Sequence, residues 1–409
     1  MYLGELRLNW RYLSAAAIGL SFGYAINAFI TSVFSPHLIA EFGWTKAQFA
    51  MLGTTIIIGV VAMPIAGRLT DLFGTRPMAV VGVVLSPLLY LALSFCNGSF
   101  AYFLAITVLQ VTLVGTTTTT TVYSRLIAER FERARGLALS LIACSPPALA
   151  AVMAPTLGAF VDHWGWRAGY VAVAVATALG GGIALALLFS VEERRREPPP
   201  RRSHRSLAEY RMILRNRAFR VIAAAILLCN LTHTVFAAQL KLILLDREMS
   251  SAFASGMISL FALGTMGGRL FSGFALDRFP SQVVAALVLG APGIGLLILG
   301  AGGVSIPLVV LAVLTIGLST GAELDIVAYL VMRFFRVEIY GTAYGMVAAA
   351  IAVSSAAGSL FLGAVLQATG AFGPYLLITA ATTIGGAALF LLLKPSRQDI
   401  DDIARPQSA

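Results

Sequence analysis

The stretch Gly67-Arg-Leu-Thr-Asp71 lies between two apolar runs, and a related stretch, Gly273-Phe-Ala-Leu-Asp277, lies between two others 206 positions later. Repetition over so long an interval indicates two copies of one structural unit. In each copy the glycine permits close approach of two helices, and the aspartate can cap a helix or pair with a base such as Arg76. We therefore predict a breakable latch at the same end of two related halves.

Two further matches support this duplication. Arg130-Phe131 corresponds to Arg333-Phe334, and Gly165 corresponds to Gly370, so all three offsets fall between 203 and 206 positions. Each match lies at the same place within a half. The chain is thus a tandem duplication.

The amino-acid composition indicates that the chain folds in a lipid environment. Of the 409 residues, 58% are hydrophobic and 12% charged, with a mean hydropathy of +0.86, whereas soluble domains are about a quarter charged. Runs of about 20 apolar residues, enough to cross a hydrocarbon core of about 30 Å, recur along the chain. We predict an all-α membrane protein with twelve spans, at 11–34, 47–67, 78–97, 100–124, 137–160, 167–190, 219–243, 252–274, 283–301, 305–332, 342–366 and 373–394.

The charge pattern predicts orientation. Arginine and lysine concentrate in the loops of one face, whereas the opposite loops carry chiefly Lys46, Arg167 and Arg247. The positive-inside rule makes the rich face cytoplasmic, together with both termini. The net charge of +10 then reports topology and predicts no nucleic-acid partner.

The predicted domains follow from the one long polar stretch. They are an N-terminal six-helix bundle at 1–190, a linker at 191–218, a C-terminal bundle at 219–394 and a cytoplasmic tail at 395–409. Within the linker, Pro198–Pro200 predicts a stiff spacer, and Ser206 with Glu209 predicts a capped, amphipathic surface helix.

The loop stretch Gly67-Arg-Leu-Thr-Asp71-Leu-Phe-Gly74-Thr-Arg76 resembles the signature of the major facilitator superfamily, and the resemblance covers nearly the whole chain. Four shorter motifs are similar to the monocarboxylate transporter and oxalate:formate antiporter group. They are Phe42-Gly43-Trp44-Thr45, Arg135-Gly136-Leu137-Ala138, Gly165-Trp166-Arg167 and Tyr340-Gly341-Thr-Ala-Tyr344-Gly345. The resemblance implies a major facilitator-type fold of two pseudo-symmetric six-helix bundles that rock about a central site.

Arg269 is a candidate for substrate binding because it lies inside predicted span 8, eight residues before Asp277. Helical rise places it roughly 12 Å from that loop, where a charge is costly without a function or a partner. A guanidinium matches the planar fork of a carboxylate, and members of the monocarboxylate group similarly carry a substrate-binding arginine in span 8. The alternative is an ion pair with Glu323 or Asp325. The repeat places uncharged Met63 opposite Arg269, which argues against a purely structural arginine.

Glu323 and Asp325 in predicted span 10 are candidates for proton coupling. Two residues correspond to a rotation of roughly 200° around a helix, so only one of them can face a narrow cavity. A nearby arginine lowers the proton affinity of a buried carboxylate until an anion occupies that arginine, which would couple proton to substrate. Static pairing that fixes spans 8 and 10 is the alternative. Some relatives carry the coupling acid in span 1, which has none here.

Uncharged polar residues complete the candidate site. Tyr24 and Asn27 in span 1, Tyr123 in span 4 and His233 in span 7 are predicted to contact the ligand. Interhelical hydrogen bonds are the alternative for each, with a neutral imidazole at His233. The hydroxyls of Thr116–Thr121 are expected to bond their own helix backbone and soften it.

These features predict a secondary transporter that moves a small organic anion, a monocarboxylate, together with a proton. The similar oxalate:formate antiporter group carries a lysine in span 11, and since there is none here between Tyr344 and Leu366, the resemblance argues against a dianion such as oxalate. The alternatives are efflux of a drug or cationic metabolite by proton antiport, and a membrane ligand sensor that does not transport. The sequence has no catalytic triad, metal-ligand spacing or nucleotide loop, so we expect no enzyme activity and no cofactor. We expect a monomer in the bacterial inner membrane whose partners are the anion, protons and lipid.

Overall fold

The computed structural model describes residues 2–131, 134–190, 207–301, 305–335 and 337–393. Within these ranges the secondary structure is helical, without strands, because lipid offers no partner for backbone groups and each segment must satisfy its own. Leu207–Arg215 forms a helix, with Ile213 buried and Leu214 exposed, and its place on the membrane surface stays a prediction. Pro198–Pro200, Ser206 and the tail lie outside the described residues.

The helical segments follow the predicted spans in order, and we number them accordingly. In the first half they are Trp10–Ser21 and Asn27–Phe42 (span 1), Lys46–Ala50 and Ile56–Phe73 (span 2), Thr75–Ser94 (span 3), Phe100–Leu109 and Thr120–Arg130 (span 4), and Arg135–Phe189 (spans 5 and 6). In the second half they are Arg217–Cys229 and His233–Leu245 (span 7), Ser251–Arg278 (span 8), Ser281–Ala301 (span 9), Ile306–Phe334 (span 10), Val337–Thr369 (span 11) and Gly373–Phe390 (span 12).

Length and composition suit these helices to a membrane. Eight of the described helices are long and apolar enough to cross one, or nine if Trp10–Ser21 and Tyr24–Phe42 form one bent span. Large apolar side chains such as Val61, Leu179 and Leu287 are exposed. In water such surfaces would be unfavourable, whereas in lipid they face a matching solvent.

The longest helix contains two spans. Arg135–Phe189 has 55 residues, about 80 Å of helix, which is more than twice a hydrocarbon core. Gly165 interrupts its helical backbone with φ 85° and ψ 161°, values that glycine adopts without the penalty a Cβ would add. Predicted spans 2 and 7 contain shorter apolar helices, Lys46–Ala62 and Val235–Leu245. The predicted all-α architecture is confirmed.

The chain divides into two compact units. The first comprises Met1–Arg201 and Thr234–Ala262, and the second comprises Arg202–His233 and Leu263–Ala409. The predicted domains, 1–190 and 219–394, describe the duplication along the sequence and stay a prediction.

Each unit has its own buried apolar core. In the first unit, Tyr123, Ile127 and Phe131 of span 4 pack with neighbouring spans. In the second, Ile326 and Leu330 of span 10 belong to the core. Shape complementarity holds such cores together, because lipid is as apolar as the side chains themselves.

Two helices of the first unit are broken where they meet. Span 1 bends by 49° between Ser21 and Tyr24, and span 4 is interrupted at Thr118, after which Thr119 is extended. The Tyr24 amide donates to Thr118 Oγ1 at 2.9 Å. The side chain at the break of span 4 thus accepts from a backbone amide at the break of span 1. Gly23 permits the approach, because a Cβ there would overlap the Thr118 side chain.

The predicted behaviour of the threonine run is confirmed at Thr116, Thr117 and Thr118, whereas the buried Thr119 hydroxyl has no hydrogen-bond partner among the described residues. The hydroxyls of Thr116, Thr117 and Thr118 donate to carbonyls one turn earlier at 2.6, 2.6 and 2.8 Å. Such bonds compete with the helical ladder and bend it. They end at the interruption of span 4.

Candidate functional site

The candidate site in the second unit begins with close packing of spans 8 and 10. A Cβ at Gly268 would overlap the carbonyl oxygen of Leu318, and a Cβ at Gly321 would overlap that of Thr265. A Cβ at Gly264 would lie 3.2 Å from the Cα of Gly317. Glycines thus let the two backbones touch.

This packing brings Arg269 of span 8 next to Asp325 of span 10. Arg269 Nη1 lies 4.0 Å from Asp325 Oδ1, and their side chains are 25% and 42% exposed. The pair is therefore at the outer limit of an ion pair. Arg269 Nε is buried and has no hydrogen-bond partner among the described residues. Most of the guanidinium's donor capacity remains available to another acceptor.

The break in span 7 positions the next residue of the site. The helix Arg217–Cys229 ends, and His233 begins the helix that follows. Tyr375 Oη donates to the freed Leu231 carbonyl at 2.8 Å. Ser354 Oγ similarly donates to the carbonyl of Leu227. Side chains of spans 11 and 12 thus satisfy carbonyls around a break that lipid could not solvate.

His233 contacts Glu323 and not the arginine. Its Nδ1 lies 3.2 Å from Glu323 Oε2, and the side chains are 29% and 5% exposed. Glu323 Oε1 is buried without a hydrogen-bond partner in the described part of the chain. A carboxylate so enclosed is costly when charged, so an imidazole that supplies a proton or a positive charge stabilises it.

The two acids of span 10 therefore have different surroundings. Asp325 is partly open and pairs loosely with Arg269, whereas Glu323 is buried and pairs with His233. Their spacing predicted that they would point apart, and the structure agrees. It also identifies which one is enclosed, and it gives Arg269 a partner in Asp325 rather than in Glu323.

The other predicted ligand contacts, Tyr24, Asn27 and Tyr123, lie in the first unit. Asn27 Oδ1 accepts from Tyr90 Oη at 3.0 Å, and the Tyr24 amide takes part in the contact between the two helix breaks. Tyr123 is 1% exposed, its hydroxyl has no partner in the described ranges, and its ring lies against Gly19. Interhelical contacts account for Asn27. Ligand contact by these residues stays a prediction.

The predicted latch residues are only partly visible. Gly67 and Asp71 lie on the helix Ile56–Phe73, but their side chains are outside the described set. Arg76 Nε and Nη2 donate to the Leu188 carbonyl, each at 3.3 Å.

Asp277 is exposed near the end of span 8, four residues after Gly273. No described atom lies within 4 Å of a Cβ built at Gly273, so the close approach predicted there is absent from the described residues. The latch itself stays a prediction.

Comparison with known proteins agrees with this architecture. Human monocarboxylate transporter 11 is 24% identical over 408 residues, covering 94% of this chain and 83% of that protein. Rat monocarboxylate transporter 13 is 26% identical over 372 residues, covering 88% and 83%. The crystal structure of a mutant of the nucleoside transporter NupG superposes with a TM-score of 0.74 at 12% identity, covering 93% and 99%. At that identity the likeness shows the fold alone.

A family model carries the assignment further. The model of the Major Facilitator Superfamily matches residues 17–359, which include Arg269, Asp325, His233 and Glu323. The helical segments described above and the duplicated loop stretch agree with it. The chain therefore belongs to the Major Facilitator Superfamily and is a multi-pass membrane transporter.

Proposed function

We propose that the protein carries a small monocarboxylate across the membrane together with a proton, by alternating access. In this proposal Arg269 binds the carboxylate, and His233 with Glu323 holds the proton. The names of the monocarboxylate transporter relatives support the substrate class. The cell would be a bacterium, with the protein in its inner membrane and both termini in the cytoplasm, as the basic loops indicate.

One observation carries the proposal: Arg269 is a charged side chain whose available partner is a poor one. Asp325 lies 4.0 Å away and is the more exposed of the two, and Arg269 Nε has no acceptor among the described residues. A carboxylate ligand would supply two oxygens in the plane of the guanidinium and form parallel, charge-assisted hydrogen bonds. Asp325 would then act as the group that the substrate displaces.

The proton would be held by Glu323 with His233, and not by Asp325, the partner of Arg269. Glu323 is buried against His233 at 3.2 Å, and one of its oxygens has no donor in the described part of the chain. Such an oxygen can accept a proton without breaking an existing bond. With His233 neutral, protonation of Glu323 removes the charge of the pair, which lowers the cost of burial and favours movement of the loaded carrier.

The proposal is tested by replacing Arg269 and measuring uptake of radiolabelled lactate into proteoliposomes under an inward proton gradient. Arg269→Lys keeps the charge but loses the fork, and Arg269→Gln loses both. Loss of a bidentate charged contact is about 3 kcal/mol, so we expect kcat/KM to fall about 100-fold in the glutamine variant. The kcat/KM of the lysine variant should lie between those of the wild-type protein and the glutamine variant.

A matched control lies on the same helix. Arg278 stacks on Phe274, with its guanidinium carbon 3.6 Å from the ring centroid, and takes no part in the proposed site. Arg278→Gln should leave lactate uptake unchanged. Wild-type uptake in both Arg269 variants would show that the arginine does not bind the substrate.

A second candidate function rests on the exposure of Asp325. Because Asp325 is 42% exposed and Arg269 is 25% exposed, the acid could recognise a cation while the arginine acts as its partner. Efflux of a cationic compound would follow. Thermal shifts of the purified protein with tetraethylammonium, and none with lactate, would favour this function, since a ligand stabilises the state it binds.

A further inference from the structure

A second charged cluster lies in the first unit, apart from the residues assigned above. Asp162 of span 5 is its centre. His37 Nε2 of span 1 lies 2.9 Å from Asp162 Oδ1, and Ser251 Oγ of span 8 donates to Asp162 Oδ2 at 2.6 Å. Lys241 of span 7 lies on the same carboxylate, with Nζ 3.5 Å from Oδ1. The cluster therefore joins four spans.

Lys241 is the unusual member of this cluster. Its side chain is 1% exposed, and its Nζ has no hydrogen-bond partner among the described residues. The 3.5 Å to Asp162 exceeds the roughly 2.8 Å of a charge-assisted hydrogen bond. An ammonium has three donors, and enclosing one without acceptors is strongly unfavourable.

Asp162 does not satisfy the Lys241 ammonium, because both of its carboxylate oxygens already contact other side chains. His37 and Ser251 make the short contacts, one on each oxygen, whereas Lys241 is the distant third partner. The buried Lys241 ammonium thus has more hydrogen-bond donors than the cluster has well-placed acceptors for them. An anion is the ligand that such an arrangement favours.

A further buried polar atom, the hydroxyl oxygen of Ser255, lies beside the cluster. Ser255 lies one helical turn after Ser251, is 2% exposed, and its Oγ has no hydrogen-bond partner in the described ranges. A Cβ at Gly158, one turn before Asp162, would lie 2.9 Å from the Ser255 Cβ. Ser255 therefore faces span 5 on the side that carries Asp162.

We propose that Lys241 is a second anion-binding position, which takes a carboxylate of the same class as the one bound at Arg269. The choice of a carboxylate rests on the proposed function. Lys241 would bind it as a point charge through single hydrogen bonds, in contrast to the planar fork of Arg269. Asp162 competes with the ligand for Lys241.

The test is calorimetric titration of the purified protein with sodium lactate at constant ionic strength. Wild-type protein should bind two lactates, and Lys241→Gln and Arg269→Gln should each bind one. The double variant should bind none. Lys46→Gln is the matched control, since this second lysine pairs with Asp246 and is 30% exposed; it should bind two.

Two further variants separate a lost site from a damaged protein. Lys241→Arg keeps a cation and should retain two sites. In the Arg269→Gln background, Asp162→Asn removes the competitor, so the remaining site should bind lactate at least roughly tenfold more tightly. A purely structural lysine would give no such increase, only lower stability.

The possible failures are distinguishable. One lactate on wild-type protein, lost in Arg269→Gln and kept in Lys241→Gln, would overturn the second site and leave the proposed function standing. Two lactates on Arg269→Gln would overturn the role of Arg269 instead. Weaker binding after Asp162→Asn would contradict competition between Asp162 and the ligand.

Discussion

Neutralising Asp325 should tighten the binding of a carboxylate at Arg269. In Asp325→Asn the side chain keeps its size but no longer attracts the guanidinium or repels an approaching anion. The ligand then has no competitor to displace. We therefore expect a lower dissociation constant for the carboxylate. Damage to the site through the loss of Asp325 as a partner of Arg269 would have the opposite effect.

The magnitude follows from the distance and the exposure. Two unit charges 4.0 Å apart attract each other by about 1 kcal/mol in water and by about 4 kcal/mol at the effective dielectric near a protein surface. Because the two side chains are 25% and 42% exposed, the lower part of that range applies. A gain of about 1.4 kcal/mol corresponds to roughly tenfold tighter binding.

The assay is equilibrium titration of lactate against purified protein, in which transport plays no part. Glu248→Gln serves as the control, since Glu248 is an exposed acid of the first unit and its loss changes the net charge equally. An unchanged or weaker affinity in Asp325→Asn would refute the idea that this acid competes with the substrate. Repeating the titration at high salt should shrink the difference.

Other variants test the remaining parts of the site. Gly268→Ala should destabilise the protein by about 1–3 kcal/mol by forcing spans 8 and 10 apart, seen as a lower unfolding midpoint. Gly267→Ala should have little effect, because a Cβ there meets only a side-chain atom at 3.5 Å; equal effects would contradict the packing argument. Glu323→Gln should preserve equilibrium lactate binding while uptake stops responding to a proton gradient, and gradient-driven uptake at the wild-type rate would rule out Glu323 as the proton site. Tyr375→Phe should cost about 1 kcal/mol, since the Leu231 carbonyl loses its donor; an unchanged midpoint would mean that another donor replaces the hydroxyl.

The fold was predictable because lipid imposes it. A span must be apolar over a fixed length, and the duplication then repeats that pattern, so composition and the stretches at Gly67 and Gly273 suffice. The interruptions were less accessible. Nothing in the apolar pattern indicates that span 7 ends at Cys229 and restarts at His233, because the side chains that satisfy the break come from spans 11 and 12.

The charged candidate residues could be identified from the sequence, but their pairing could not. Arg269, Glu323 and Asp325 stand out as charges in an apolar setting, but which acid meets the arginine depends on how the helices rotate. The sequence placed His233 among the ligand contacts, and its partner Glu323 became visible only in three dimensions. Lys241 was missed although it carried the same signal, a charge two residues before the predicted end of span 7.

The glycine contacts between spans 8 and 10 limit how the substrate range can diversify. Backbones already touching at Gly268 and Gly321 cannot come closer, and separating them would sacrifice their packing. On the proposed function, room for a bulkier acid must therefore come from helices other than this pair. A selection for growth on larger carboxylic acids should accordingly leave Gly268 and Gly321 invariant among the survivors.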